Sequence, residues 1–252
     1  MIESEREALP RPWLERQLEM LAKVSRPLRR RLSPNRFKET YVNRAVLNSR
    51  DRATLYVEIG VRDGESFRLV RADRRIGIDP ERRPSMAILE SGEEFFETTS
   101  DEFFDLHADA VLRGATVDVA LLDGLHEFRQ VLRDFDNLER FMRPDGVVIV
   151  DDCNPQSAER ASDVPIGGAW NGDVWKLVAY LVAERPDLRV TTIDADEGVG
   201  VITGFGRPGA DIDEATVEYY KSLPYGHLEA DRTRIINLRP PSSFDSLLPG
   251  SG

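Results

Sequence analysis

The sequence predicts an α/β protein with one doubly wound sheet of seven mostly parallel strands, the last of them antiparallel. Strand-like and helix-like segments alternate through residues 54–204. The segments 119–122 (VALL) and 147–150 (VVIV) are apolar at every position, as is typical of parallel strands covered by helices on both faces. The last two strand-like segments, 189–193 and 199–203, are joined by five residues, which suffices for an antiparallel hairpin but not for a parallel crossover.

Hydrophobic periodicity and turn residues locate the individual elements. Residues 126–142 carry apolar side chains at a period of 3.6, which indicates an amphipathic helix. The turn Pro144-Asp145-Gly146 then precedes the strand 147–150. The predicted strands are 54–59, 75–78, 95–98, 117–122, 147–150, 189–193 and 199–203, and the predicted helices are 65–71, 84–90, 101–112, 126–142, 172–184 and 213–222.

Two flanking segments are predicted around this central region. Residues 11–24 have leucines at helical spacing, and the stretch from Arg239 is rich in Pro, Ser and Gly, which favours a flexible tail. The predicted divisions are a helical, basic N-terminal extension or lid at 1–53, a central domain at 54–204, and a C-terminal helix with a flexible tail at 205–252.

Charge is distributed unevenly along the chain. The net charge is −11, but residues 22–52 hold ten basic and two acidic side chains. An acidic body repels nucleic acid, so a nucleic-acid partner is disfavoured unless the basic segment alone binds it. The alternatives for 22–52 are a solvated surface, or a segment that docks on the acidic body of its own or another subunit and so supports a homo-oligomer.

Cysteine content and hydropathy bear on the cellular location. The single cysteine, Cys153, excludes an internal disulfide and a thiolate zinc cluster. No apolar run approaches the 18 or so residues of a membrane span, and the N-terminus lacks the apolar core of a secretory signal. We therefore expect a cytoplasmic protein with no membrane partner.

The segment 55–66 (LYVEIGVRDGES) has the pattern of a nucleotide-binding corner, in which a strand ends in a glycine-rich turn before a helix. A purely structural turn is the alternative. Phe67 stands where a dinucleotide fingerprint has its third glycine. Glu58 and Asp63 would repel a pyrophosphate but suit a cofactor with an amino group and a sulfonium.

Polar residues follow the other predicted strands, where ligands bind in open α/β sheets. Asp79 follows the second strand and suits ribose hydroxyls, with an Asp-Pro turn as the alternative. Ser100 and Asp101 follow the third strand, although Ser100 could instead cap a helix. The fourth strand is followed by Asp123 and His126, and the fifth by Asp151 and Asp152. The structural alternatives are a strand-end turn for Asp123, a helix cap for Asp151 or Asp152, and a histidine bonded to the backbone for His126.

These motifs together resemble a class I S-adenosylmethionine (SAM)-dependent methyltransferase with a Rossmann-like fold. The pairing of 121–126 (LLDGLH) with 148–154 (VIVDDCN) is most similar to the metal-dependent O-methyltransferases of the macrocin type, which methylate sugar hydroxyls on natural products. The resemblance implies SAM as cofactor and a hydroxyl of a small molecule, for instance a glycoside, as acceptor. It implies cofactor contacts from Glu58, Gly60, Gly64, Asp79, Ser100 and Asp101.

The same resemblance implies a metal site and a base. Asp123, Asp151 and Asp152 match the Mg²⁺ ligands of that family, and His126 matches the base of some members, while others have an acid where this chain has Leu125. A hard cation on the acceptor oxygen would lower its pKa, and a nearby cation would keep the pKa of His126 near or below 6.5.

Two rival functions remain open. The missing third glycine and the antiparallel last strand disfavour an NAD-dependent oxidoreductase. A non-catalytic interaction protein with a methyltransferase fold, acting through the basic segment, is the other rival. Two tryptophans, Trp170 and Trp175, flank a glycine-rich loop and could line an acceptor pocket or pack in the core.

Overall fold

The computed structural model describes residues 37–112, 114, 116–165, 170–206 and 213–250. Their sheet has eight strands in the order β3-β2-β1-β4-β5-β7-β6-β8. The strands are β1 (Leu55–Ile59), β2 (Arg74–Asp79), β3 (Glu93–Glu97), β4 (Val117–Leu122), β5 (Met142–Val150), β6 (Arg189–Ile193), β7 (Val199–Thr203) and β8 (Leu238–Arg239). The helices are α1 (Lys38–Asn48), α2 (Ser100–Leu106), α3 (Ala108–Val111), α4 (Phe128–Glu139), α5 (Trp175–Glu184), α6 (Glu214–Ser222), α7 (Tyr225–Ala230), α8 (Arg232–Ile235) and α9 (Phe244–Leu247).

The sheet topology confirms the predicted doubly wound α/β fold. Strands β1 to β5 pair in parallel, and β7 lies antiparallel between β5 and β6. The chain reverses its winding between β1 and β4, so a crevice opens beyond their carboxyl ends. One strand is additional to the prediction: the two residues of β8 pair in parallel with β6 and cover its edge.

Alternating side chains of the strands build two apolar layers. Val57 of β1 belongs to the layer with Phe135 of α4 and Leu177 of α5, whereas its neighbour Tyr56 faces the layer that contains Tyr41 of α1. Every residue of β1 and β4 is buried, including Glu58 and Asp118, and this burial on both faces explains why the segment 119–122 is apolar without alternation.

Two predicted helices are only 3₁₀ turns. The predicted helix 65–71 is reduced to Phe67–Leu69, because Val70 is extended and the side chain of Asn43 in α1 bonds the backbone of Leu69 and Arg71. The predicted helix 84–90 is reduced to Pro84–Met86. The predicted helix 101–112 is present as two pieces, α2 and α3, which meet at His107.

Helix α1 lies within the range predicted as an N-terminal extension, and it packs against the sheet. Its residues Tyr41, Val42 and Ala45 are fully buried. Basic side chains of the same segment dock on acids of this chain, as in the pair Arg52–Asp118 (2.8 Å). The described part of the basic segment is therefore integrated in the fold, while the predicted helix 11–24 lies outside the described residues.

The segment from Arg239, predicted as a flexible tail, is instead folded. Its helix α9 buries Phe244 completely, with the ring 4.9 Å from that of Tyr41. Leu248 is also buried, so two apolar anchors outweigh the local composition in Pro, Ser and Gly. Within the described ranges, none of the helices has both the length and the apolar character that a membrane crossing requires.

Candidate active site

A cavity of about 910 Å³ opens at the carboxyl ends of β1, β2, β4 and β5. This is the position expected for a ligand in an open α/β sheet. It is lined by Lys38, Ile59, Gly60, Arg62, Ile78, Asp79, Pro80, Thr99, Ser100, Asp101, Asp123, Gly124, Leu125, His126, Gln130, Asp134, Asp151, Asp152, Trp170, Asp196 and Glu197.

Gly60 and Asp79, both predicted as cofactor contacts, line this cavity. Gly60 has a φ of +88°, and a Cβ at this position would lie 2.0 Å from the carbonyl oxygen of Asp123, so only glycine fits. The carboxylate of Asp79 accepts hydrogen bonds from the backbone N–H groups of Arg62 and Glu81, both at 2.8 Å. Its orientation is thus fixed by the chain on either side.

Ser100 and Asp101 also line the cavity, and the alternative role of Ser100 as a helix cap does not hold. Thr99 caps α2: its hydroxyl accepts from the N–H of Glu102 at 3.2 Å, and the Glu102 side chain accepts in return from the N–H of Thr99. The amide nitrogen of Gln130 donates to Ser100 Oγ and Asp101 Oδ1, both at 3.2 Å.

Glu58 and Gly64 do not line the cavity. Glu58 is 1% exposed, and its Oε2 accepts a 2.6 Å hydrogen bond from the hydroxyl of Tyr56. Burial raises the pKa of Glu58 to about 8, so this carboxyl is largely neutral at pH 7. A Cβ on Gly64 would lie 2.1 Å from Met86 Sδ, so this glycine serves the packing of the turn.

Gln130 and Asp134 line the cavity but escaped the sequence analysis. They lie one turn apart on α4, and Gln130 Nε2 donates to Asp134 Oδ1 at 3.0 Å. Burial raises the pKa of Asp134 to about 6. The available signal was a polar pair at i, i+4 beside the apolar face of a helix that begins at the edge of the cavity.

Asp123, Asp151, Asp152 and His126 converge in the same cavity. His126 Nδ1 lies 3.1 Å from Asp152 Oδ2 and 3.2 Å from the carbonyl oxygen of Trp170. Its Nε2 lies 3.7 Å from Asp123 Oδ1, a charge contact too long for a hydrogen bond. The imidazole stacks on the Trp170 ring at 5.2 Å between centroids. Trp170 therefore lines the pocket, whereas Trp175 is 1% exposed and packs in the core.

The carboxylates around His126 reverse the predicted direction of its pKa shift. Burial alone would lower the pKa of His126, but the contact with Asp123 and the charge of Asp152 raise it to about 8. The expectation of a value near or below 6.5 assumed a neighbouring metal cation. The protein groups alone favour the protonated imidazole.

The loop between Trp170 and Trp175 holds His126 in place through contacts that the sequence does not reveal. Asn171 donates from Nδ2 to Asp152 Oδ1 at 2.5 Å. Gly172 has a φ of +63°, and a Cβ there would lie 1.8 Å from the carbonyl oxygen of His126. The N–H of Asp173 donates to that same oxygen at 3.2 Å, and its Oδ1 accepts from the N–H of Phe128 at 2.6 Å.

Lys38, one of the ten basic residues of the segment 22–52, is part of the site. Its Nζ lies 2.5 Å from Asp123 Oδ2 and 2.5 Å from Asp151 Oδ2. The residue is 7% exposed. Burial would lower the pKa of Lys38, but the two carboxylates outweigh it and hold the pKa well above 10.5, so the ammonium stays charged.

The predicted Mg²⁺ set of three carboxylates does not fit the observed arrangement. A metal shared by Asp123 and Asp151 would need both oxygens within about 2.0–2.6 Å, and the Lys38 ammonium already occupies the space between them. Among the described residues, one group could supply three ligand atoms that all lie within 4.8 Å of one another, and its members are Asp123, His126 and Asp152. Asp151 is not a member of this group.

Comparison with known proteins gives one family match and several remote structural likenesses. Residues 57–153 match a family model described as a methyltransferase domain, while no curated protein matches the sequence. The O-methyltransferase TomG from Streptomyces achromogenes, in complex with SAM, is 21% identical over 67% of this chain and 79% of that chain, with a TM-score of 0.47. The methyltransferase PaMTH1 from Podospora anserina is 16% identical over 67% and 78%, with a TM-score of 0.47. MycE from the mycinamycin pathway, in complex with Mg, SAH and mycinamycin VI, is 16% identical over 72% and 54%, with a TM-score of 0.42.

The family match spans β1 to the end of β5. It therefore contains every residue predicted for cofactor, metal or base, from Glu58 to Asp152, whereas Lys38 and Trp170 lie outside it. Residues 57–153 are thus similar to a methyltransferase domain, and the order of the strands around them is that of the predicted doubly wound sheet.

Proposed function

We propose that this protein transfers the methyl group of SAM to a hydroxyl of a small molecule. One observation carries the proposal: Gly60 and Asp79 line the same cavity as His126 and the carboxylates around it. A methyl donor and a proton-accepting group can thus face the same acceptor atom. Methyl transfer depends mainly on such alignment of nucleophile, methyl carbon and leaving sulfur.

The cofactor would bind along the Gly60 side. The missing Cβ of Gly60 lets the ligand approach the backbone, Asp79 suits the two ribose hydroxyls, and Ser100 with Asp101 suits the adenine. The sulfonium and amino groups of SAM are cationic, in keeping with a cavity wall rich in carboxylates. An NAD pyrophosphate would meet these same carboxylates unfavourably.

His126 is proposed as the base. Its Nδ1 faces the Trp170 carbonyl and the Asp152 carboxylate, so the neutral ring carries its proton there and leaves Nε2 free to accept another. The acceptor hydroxyl gives its proton to Nε2, and its oxygen forms a bond to the methyl carbon. The carbon–sulfur bond breaks, and the electron pair stays on sulfur, which becomes a neutral thioether.

The acceptor is proposed to be a small hydroxyl compound, for instance a glycoside. Trp170 and Leu125, the latter 56% exposed, offer an aromatic and an apolar surface beside His126, as suits the face of a sugar ring. Mg²⁺ assistance, expected from the resemblance, is not part of the proposal because Lys38 occupies the position between two of its ligands. For residues 22–36 of the basic segment, which lie outside the described ranges, docking on a second subunit is a proposal.

Calorimetry tests the cofactor assignment. SAM and its demethylated product should both bind, and Asp79→Ala should weaken both roughly tenfold, since about 1.4 kcal/mol corresponds to a factor of ten. The exposed Asp109→Asn on α3 serves as the control and should bind like the wild type. Tight binding of NAD without binding of SAM would instead support the oxidoreductase.

Transfer of a labelled methyl group to a panel of hydroxyl compounds tests the reaction. His126→Ala should lower turnover roughly 10²–10⁴-fold while SAM affinity is unchanged. His126→Gln should not rescue turnover, because an amide accepts a hydrogen bond but no proton. Binding of SAM without turnover on any acceptor would favour the non-catalytic interaction protein.

A further inference from the structure

We propose that the ammonium of Lys38, in place of a divalent metal, is the cation of this active site. The inference rests on the proposed function for its chemistry, but its first test needs no methyl transfer. Lys38 Nζ bridges Asp123 and Asp151, the ends of two adjacent parallel strands, at 2.5 Å to each. These carboxylates were predicted to share a metal ion, and they share a lysine.

The fold holds this lysine in a defined position. Lys38 is the first residue of α1, and its backbone N–H donates to Asp196 Oδ2 at 3.1 Å. The helix is anchored by buried Tyr41 and Val42, and α9 covers it through Phe244. A side chain that is 9% exposed and begins on an anchored helix has little freedom to leave its two carboxylates.

Charge balance also favours the ammonium over an added metal. A metal between Asp123 and Asp151 would have to displace Lys38, and the displaced ammonium would remain buried without its partners. Breaking a buried ion pair in this way is strongly unfavourable. The Lys38 ammonium already sets a positive charge against both Asp123 and Asp151 at 2.5 Å.

The ammonium can perform the part of the chemistry that a metal would supply. Two of its three N–H groups point to Asp123 and Asp151, which leaves a third for the acceptor oxygen. This contact stabilises the negative charge that grows on the oxygen as its proton passes to His126 Nε2. Lys38 keeps its own three protons and its charge throughout, so the balance of the methyl transfer is unchanged.

The first test is metal binding without substrate, measured by electron paramagnetic resonance of Mn²⁺. The wild type should leave Mn²⁺ free in solution at millimolar protein and metal. Lys38→Met removes the charge at similar length, and the freed carboxylates should bind Mn²⁺ at least 100-fold more tightly. The double variant with Asp151→Asn should lose this gain.

Lys176→Met is the matched control for this gain. Lys176 is a second buried lysine, 8% exposed, whose Nζ lies 3.2 Å from Asp173 Oδ2. Its removal leaves a single carboxylate that still pairs with Lys221 at 2.9 Å, so Mn²⁺ binding should not appear. Stoichiometric Mn²⁺ binding by the wild type, whether at Asp151 or at the Asp123, His126 and Asp152 group, would overturn the proposal. So would the absence of a Mn²⁺ gain in folded Lys38→Met.

The second test is turnover in the presence of a chelator. Wild-type methyl transfer should be unaffected, and Lys38→Met should lose roughly 10²–10³-fold with SAM affinity retained. If Lys38→Met is unstable, Lys38→Arg is the substitute because it keeps the charge, and its turnover should also be insensitive to the chelator. Loss of wild-type turnover in chelator, restored by Mg²⁺, would show that a metal acts here although SAM-dependent methyl transfer itself stands.

Discussion

The ionisation of Glu58 provides a quantitative test of how the site is built. Its pKa is about 8 in the folded protein, against 4.5 for an unperturbed glutamate. Below pH 4.5 the carboxyl is protonated in both folded and unfolded chains. Between these two values the unfolded chain ionises while the folded one does not, so stability falls as pH rises, by up to about 1.4 kcal/mol per pH unit.

Glu58→Gln should therefore stabilise the protein at neutral and higher pH. The amide keeps the shape and an oxygen acceptor for the Tyr56 hydroxyl, but it does not ionise. At pH 7.5 the relief amounts to about 3–4 kcal/mol, and we expect a net gain of about 2–4 kcal/mol after imperfect repacking. For a protein of this size that is a rise of about 5–15 °C in the midpoint of thermal unfolding.

The assay is denaturant unfolding of wild type and variant from pH 5 to pH 8. The difference between the two free energies of unfolding should grow with pH, while the exposed Glu229→Gln should match the wild type throughout. Parallel curves would refute the neutral buried carboxyl. Because Glu58 does not line the cavity, Glu58→Gln should also leave the affinity for SAM unchanged. A large loss of SAM affinity would instead support the predicted contact between Glu58 and the cofactor.

Three further outcomes are expected. If His126 is the base, turnover should rise with pH through about 8, because the neutral imidazole is required, and a rate that is flat from pH 6 to 9 would contradict this role. The stability that the charged imidazole contributes should be fully present below about pH 6.5 and lost as the pH rises through about 8. Thr99→Ala removes the capping box of α2 and should cost about 1 kcal/mol in urea unfolding, with Thr99→Ser close to the wild type. Phe244→Ala should lower the free energy of unfolding by about 3–5 kcal/mol if α9 is part of the core. A loss under about 0.5 kcal/mol would instead support the predicted flexible tail.

The sheet could be predicted because its information is local. Apolar runs such as 119–122, the five-residue link before β7, and polar residues at strand ends are each visible within a few positions. The strands 117–122, 189–193 and 199–203 have the predicted bounds. Parallel pairing then brings the carboxyl ends of these strands together, and with them Asp79, Asp123 and Asp151.

What escaped prediction depends on contacts between distant parts of the chain. A two-residue strand such as β8 carries no periodicity, and the tail that follows it is ordered by a ring contact between Phe244 and Tyr41, 203 positions apart. The loop at Asn171–Asp173 is recognisable as glycine-containing, but its bonds to Asp152 and His126 depend on the fold. Glu58 lies in the expected motif, and only the folded structure shows that it is buried and does not line the cavity.

Lys38 shows the limit most clearly. Sequence reasoning from strand ends finds the carboxylates that meet at the edge of the sheet, and it assigns them to a metal because acids that converge need a cation. The cation can equally come from an element outside the sheet, and here it comes from a helix 85 and 113 positions away from its two partners. A basic residue ahead of β1 is invisible as a site residue until α1 is placed across the ends of the strands. The same acids therefore support two chemistries, and the identity of the cation is decided by packing.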